Sequence, residues 1–191
     1  MKKVVIINGH PNKDSFNYAI VAAYKKGALE RKIEVKEITI SELEFDVNLE
    51  FGYQKRKDLE PDLVSAWEKI VWADHLVWVH PVWWGGLPAI TKGFIDRLFL
   101  PGFVFNYREN SIVWDKLLKS KTGHIITTLD QPGWYYHLVY GRPSVNQLKK
   151  STLEFCGVSP VKVTYIGIVR TANEATRKKW LEKIERLAFK S

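Results

Sequence analysis

Cysteine is almost absent from this chain: Cys156 is the only one among 191 residues. A lone thiol excludes an internal disulfide and any multi-cysteine metal site. Its neighbours Leu153, Phe155 and Val158 mark it as a packed side chain rather than a nucleophile. Long apolar runs are missing as well. None approaches the ~20 residues of a bilayer span, and Met1-Lys2-Lys3 leads straight into a strand pattern instead of a signal-peptide core, so a cytoplasmic protein is expected. No internal repeat, low-complexity tract or Gly/Ser linker interrupts the sequence, which reads as one domain over residues 1–191. Clustered charge is lacking too. The formal net charge is +8, but Lys and Arg are spread along the chain without a DNA- or RNA-binding motif. Nucleic acid is therefore not an expected partner. A basic surface of this kind concentrates anionic cofactors and dinucleotide substrates, less so as salt rises.

What the chain does have is a globular balance, 46% hydrophobic and 26% charged. Short apolar or β-branched runs at Val4 to Asn8, Ile33 to Ile38, His75 to His80, Gly123 to Thr128 and Val161 to Ile168 read as central strands. Helical patterns lie between them: Phe16 to Glu30, Pro61 to Trp72, Pro88 to Leu98, Val145 to Phe155 and Glu174 to Ala188. Strict alternation predicts an α/β fold with a parallel sheet covered on both faces. Two segments, Ser41 to Asp58 and Pro101 to Leu118, are too long for ordinary connections and read as a site rim or a partner interface. In open sheets the ligand crevice lies beyond the strands' carboxyl ends, which directs attention to the loops after the first, third and fourth strands.

The first loop, Gly9 to Asn17, joins a buried strand to a helix starting near Ser15. A helix start offers unpaired N–H groups and a positive dipole end; His10, Ser15 and Asn17 add donors where a phosphate could sit. The loop has neither the Lys and close glycines of a nucleotide-hydrolase loop nor a GxGxxG fingerprint, which favours a flavin phosphate over ATP. The plainer alternative is a helix capped by Asp14 or Ser15, with His10 merely exposed. The second loop, His80-Pro81-Val82-Trp83-Trp84-Gly85-Gly86-Leu87-Pro88, suits a flat ring system. The indoles supply an apolar wall, and Gly85 and Gly86 let backbone N–H groups approach ring heteroatoms. The alternative makes Trp83 and Trp84 core residues. In the third loop, Thr127 to His137, Tyr135 is a candidate to bond a ring carbonyl and His137 to relay a proton, against a purely structural aromatic cluster.

Three segments, GHPNKDSFNYAI, HPVWWGGLPAITKGFIDRLFLPGF and LEFCGV, resemble in order and spacing the NAD(P)H:quinone oxidoreductase family of flavodoxin-like flavoproteins. The resemblance implies a flavodoxin-like, doubly wound five-stranded parallel sheet of order 2-1-3-4-5, a tightly held flavin, NAD(P)H as co-substrate, a quinone or other planar acceptor, and a homodimer. By the same resemblance His10, Ser15, Phe16 and Asn17 hold the flavin phosphate, and Pro81, Val82, Trp83, Trp84 and Gly85 line the isoalloxazine. Thr127, Thr128 and Tyr135 flank its pyrimidine side. Better-known members follow the Thr-Thr pair with two glycines, where this chain has Leu129-Asp130. Asp130 is expected near the ring, its carboxylate turned inward in preference to outward and solvated, since the Gln131-Pro132-Gly133 turn allows either. His137 does not align cleanly with the family's active-site histidine; Gly141 sits nearer that place. A C-terminal extension found in larger animal members is missing, which implies FMN ahead of FAD.

The implied chemistry is two-electron reduction of quinones, with azo and nitro compounds as further acceptors, by ping-pong hydride transfer through the flavin. Two rival readings are a flavodoxin-type electron carrier, against which the +8 charge speaks, and a regulatory flavoprotein subunit of a potassium-efflux transporter.

Overall fold

Strands buried on both faces favour apolar side chains on successive positions, and the sequence supplies mostly apolar runs in the middle of the sheet. The computed structural model describes residues 2–188; Met1 and residues 189–191 of the expected domain lie outside them. Along the chain run β1 (Lys3–Asn8), α1 (Phe16–Leu29), β2 (Glu34–Thr39), α2 (Pro61–Trp72), β3 (His75–Pro81), α3 (Ala89–Leu98), β4 (Phe105–Tyr107) and β5 (Trp114–Lys116). They continue with β6 (Thr122–Leu129), α4 (Gly133–Leu138), α5 (Pro143–Asn146), which passes into a π-wound stretch over Gln147–Glu154, then β7 (Val161–Gly167) and α6 (Glu174–Leu187). Five of the strands form a parallel sheet of order β2-β1-β3-β6-β7, which is 2-1-3-4-5 when its own strands are counted. All seven residues of central β3 are buried, whereas edge strand β2 (EVKEIT) alternates exposed and covered positions.

Alternate side chains along each strand build two cores. On one face Val5, Ile7, Trp78 and Ile125 pack against Leu63 and Ile70 of α2, Phe94 and Leu98 of α3, and Leu148 and Leu153 of the π-wound stretch. On the other, Val4, Ile6, Val77, Val79 and Ile126 meet Ile20 and Tyr24 of α1 and Ile184 of α6. Cys156 is buried in the first core, where burial pushes its thiol up to about 12, as expected of a packed, inert cysteine.

The structure departs from the sequence expectation at the long connections. Residues 101–118 are not an open excursion: they hold the antiparallel pair β4-β5. Trp114 stacks on Phe155 at 4.2 Å and donates its indole N–H to the Phe155 carbonyl at 2.9 Å. Such three-residue strands carry too short an alternation to read from sequence. The other excursion becomes a strap across α3. A Cβ on Gly93 would lie 2.6 Å from the Val47 Cβ, so only glycine lets the strap seat there. Arg97, fully buried, then grips it. Its guanidinium donates to the backbone carbonyls of Asp46 and Asp58 and forks onto both Glu60 oxygens, at 3.0 and 2.7 Å.

Candidate functional site

Loop one is shaped by three bonds, each spanning two residues. Asn8 Oδ1 accepts the His10 N–H at 3.1 Å, His10 Nδ1 accepts the Asn12 N–H at 3.0 Å, and Asn12 Oδ1 accepts the Asp14 N–H at 2.9 Å. They bring the chain round so that α1 begins at Phe16 with Ser15 as its N-cap residue. Neither capping alternative is realised, because no side chain caps the helix, its first turn holds no acid, and Asp14 is exposed. Ser15 Oγ and Asn17 Nδ2 are instead buried with no hydrogen-bond partner. Thr128 donates its hydroxyl to Asn17 Oδ1 at 3.0 Å, which orients the Asn17 amide. With Nδ1 accepting, His10 carries its proton on Nε2; burial holds its pKa below the ordinary value. Unpartnered donors at an uncapped helix start have the chemistry to receive an anion. They line a cleft of about 150 Å³ with Phe16, Pro81, Val82, Trp83 and Asp130, and with Val169 from the loop after β7, which sequence reasoning missed.

Loop two is a tight turn. Trp83 and Gly86 exchange backbone bonds of 3.1 and 2.9 Å, with Trp84 at φ 51° and Gly85 at φ 77°. Left-handed conformation at both central residues is the type I′ pattern, which a glycine at the second place relieves. The Gly86 N–H is therefore consumed inside the turn, a correction to the expectation that both glycines present N–H groups to a ring. Neither indole is core, since Trp83 is 44% and Trp84 106% exposed. Trp83 meets the His10 ring edge-on at 5.5 Å, joining the first two loops.

Loop three differs most from its expectation, because residues 133–138 wind into α4. A helix turns each successive residue by about 100°, so Tyr136 is buried, Tyr135 is half-covered and His137 is exposed. Tyr135 makes edge contacts with Trp134 at 5.7 Å and Tyr140 at 5.4 Å. The larger cleft, about 520 Å³, is lined by Tyr140 together with Val82, Trp84, Gly85, Leu129, Asp130, Gln131 and Pro143. Tyr135 and His137 are not among these residues. Strand alternation also separates the threonine pair: Thr128 faces α1 and the smaller cleft, whereas Thr127 is fully buried beside His80 and Tyr165. Asp130 is exposed but does not swing freely, since its Oδ1 accepts the Arg170 N–H at 2.7 Å. The two clefts share Val82, Leu129 and Asp130, so the smaller and the larger are continuous. No group of three or more His, Cys, Asp or Glu suited to a metal ion occurs among the described residues.

Comparison with known proteins bears on the fold. A family model described as the flavodoxin-like fold matches residues 2–188. The chain is 29% identical to NAD(P)H dehydrogenase (quinone) 1 of Cavia porcellus, over 96% of this chain and 78% of that one. It is 27% identical to an uncharacterized NAD(P)H oxidoreductase of Haemophilus influenzae, over 93% and 90%. Among solved structures, Smu.1420 from Streptococcus mutans UA159 superposes with a TM-score of 0.84 at 28% identity, covering 99% of this chain and all (100%) of that one. NAD(P)H:quinone oxidoreductase from Methanothermobacter marburgensis does so at 0.82 with 20% identity, over 98% and 97%. From residue 2 to residue 188, and in a sheet order that brings the loops after its first, third and fourth strands to one edge, the chain belongs to the flavodoxin-like fold family.

Proposed function

We propose that the protein is a flavin-dependent NAD(P)H:acceptor oxidoreductase that reduces quinones, and other planar acceptors such as azo and nitro compounds, by two electrons. The observation that carries this reading is the pair of buried, unpartnered donors, Ser15 Oγ and Asn17 Nδ2, in a small cleft continuous with a 520 Å³ cleft that an aromatic turn lines. Similar proteins point the same way, being named quinone-type NAD(P)H dehydrogenases and, in one solved structure, an FMN-dependent NADH-azoreductase in complex with FMN. FMN fits the donor set. When bound, it supplies the redox chemistry, taking a hydride from NAD(P)H and handing two electrons to the acceptor.

The protein's own residues bind and orient. Ser15, Asn17, the His10 Nε2–H and the first N–H groups of α1 hold the phosphate; Phe16 and Pro81 close the pocket around it. Val82, Trp84 and Gly85 form the apolar side of the ring cleft, Trp83 lines the adjoining smaller cleft, and Thr128 orients Asn17 there. One open slot serves both substrates in turn, so ping-pong kinetics follow, and a flat slot discriminates poorly among planar acceptors. NAD(P)H is an intracellular reductant, which is the ground for placing the protein in the cytoplasm; no described helix is long and apolar enough to cross a membrane. We assign a homodimer from the exposed apolar side chains beside the cleft, Trp134, Leu138, Val139 and Tyr140. Sedimentation at the mass of one chain would refute that assignment.

The deciding experiment is the visible spectrum of the purified protein, with mass analysis of the released cofactor and NAD(P)H oxidation in the presence of a soluble quinone. A yellow protein that releases FMN and turns over is expected; a colourless one that FMN does not reconstitute overturns the reading. Ser15→Ala is expected to weaken FMN binding about tenfold to a hundredfold by removing a donor to a charged group. Equal affinity in equilibrium dialysis would remove Ser15 from the phosphate site. Gly85→Val places a β-branched residue at φ 77° with its Cβ 3.3 Å from Pro143 Cγ. Left-handed strain of about 1–3 kcal/mol should open the turn and lower flavin content and turnover together. Full flavination and full activity in this variant would contradict the role given to the turn.

A further inference from the structure

We propose that Tyr136 and Ser144 are the positioning residues of the ring cleft, holding the Trp83–Gly86 turn at a fixed distance from the α5 start; the proposal rests on the flavin reading above. Both side chains are fully buried. The Tyr136 hydroxyl lies 2.7 Å from Ser144 Oγ and 3.2 Å from the Gly85 carbonyl, and it accepts the Ser144 N–H at 3.1 Å. Ser144 N–H also reaches the Gly85 carbonyl at 3.1 Å. One placement of protons satisfies every group: Ser144 donates to Tyr136 from both Oγ and N, and Tyr136 donates its single proton to Gly85. The result is a closed circuit between the loop after β3 and the loop after α4.

An independent observation concerns backbone strain. Trp84 at φ 51° and Arg142 at φ 56° are non-glycine residues in left-handed conformation, and each sits within two residues of a circuit member. Such conformations persist where the surroundings over-determine them. The circuit joins the two strained segments, and Trp84, Gly85 and Pro143 from those segments line the 520 Å³ cleft. Its hydrogen bonds therefore set the separation of the aromatic turn from the Pro143 wall. The sequence attracts attention to Tyr135 and His137, but the residue between them makes this connection.

Tyr136→Phe and Ser144→Ala test the proposal, since each removes a hydroxyl with little change of volume. Amide exchange is read without cofactor for the peptide spanning residues 82–88, and FMN and riboflavin affinities are read by fluorescence quenching. Exchange in that peptide should rise about tenfold in either variant while β1 and β3 stay protected. FMN and riboflavin should weaken by the same factor, about tenfold, because the ring slot is altered and the phosphate site is not. The double variant should be no worse than the weaker single one, as expected of one shared circuit. Unchanged exchange at 82–88, unchanged flavin affinity, or a loss confined to FMN overturns the proposal. A wild-type chain that binds neither flavin overturns the flavin reading and the ring role with it, while the exchange data still report whether the circuit holds the turn.

Discussion

Arg97→Met is expected to lower the unfolding free energy by about 3–5 kcal/mol, the usual cost of removing one partner of a buried ion pair. Arg97 is 0% exposed, and its loss leaves the carbonyls of Asp46 and Asp58 without their donor and Glu60 without its counter-charge. Burial is the largest single influence on Glu60 and would raise its pKa, but the Arg97 hydrogen bond, the backbone N–H groups of Glu60 and Asp46 and the guanidinium charge together hold the carboxyl below its ordinary value. Arg97→Lys keeps the charge but not the two-pronged fork, so its cost should fall between wild type and Arg97→Met. Urea midpoints of the three proteins check this. A change under about 1 kcal/mol for Arg97→Met would mean that the strap is held by packing rather than by the guanidinium.

Acid should unfold the protein well before its carboxylates titrate. Burial lowers His75 to about 3, and it lowers His80 and His124 to about 4. His75 and His124 are further disfavoured as cations by Lys162, and His75 by His124 and Lys2. Each histidine binds a proton in the unfolded chain below an ordinary value of about 6.5, while the folded state stays neutral until much lower pH. The stability they contribute is therefore complete above pH 6.5 and is lost as pH falls toward 4. The slope is on the order of 1.4 kcal/mol per pH unit for each histidine. Urea midpoints should change little above neutrality and drop steeply between pH 6 and 4.5, in about that range. His124→Gln should remove about one third of the slope, since one of three protons no longer titrates. Stability that stays level from pH 7 to pH 5 would contradict the burial of these rings as neutral species.

The resemblance block HPVWWGGLPAITKGFIDRLFLPGF splits into two jobs in the structure. Its first half, Pro81 to Gly85, reaches the clefts. The second half does not: Gly93 admits Val47 of the strap and Arg97 fastens it. Family likeness marks such residues without saying why they are there; the reason lies in a segment some forty to fifty positions earlier, which only folding brings near.

Strand and helix identity was written in local pattern. Runs such as VVII and LVWV are apolar at every position and are stable when covered on both faces, so alternation with amphipathic helices determined a parallel sheet covered on both faces, while its strand order came with the family resemblance. The candidate position of the site followed as well, because in such a sheet the loops after the first, third and fourth strands meet at one edge. Tertiary structure decided the rest. Whether Ser15 caps its helix or leaves its hydroxyl free depends on a loop closed by Asn8, His10 and Asn12. Which aromatic residue faces the cleft depended on α4, six residues long and too short for a helical period to show in sequence. That one winding buried Tyr136, exposed His137 and gave the cleft wall to Tyr140, because a 100° step in place of a strand's 180° reassigns every side chain after the first.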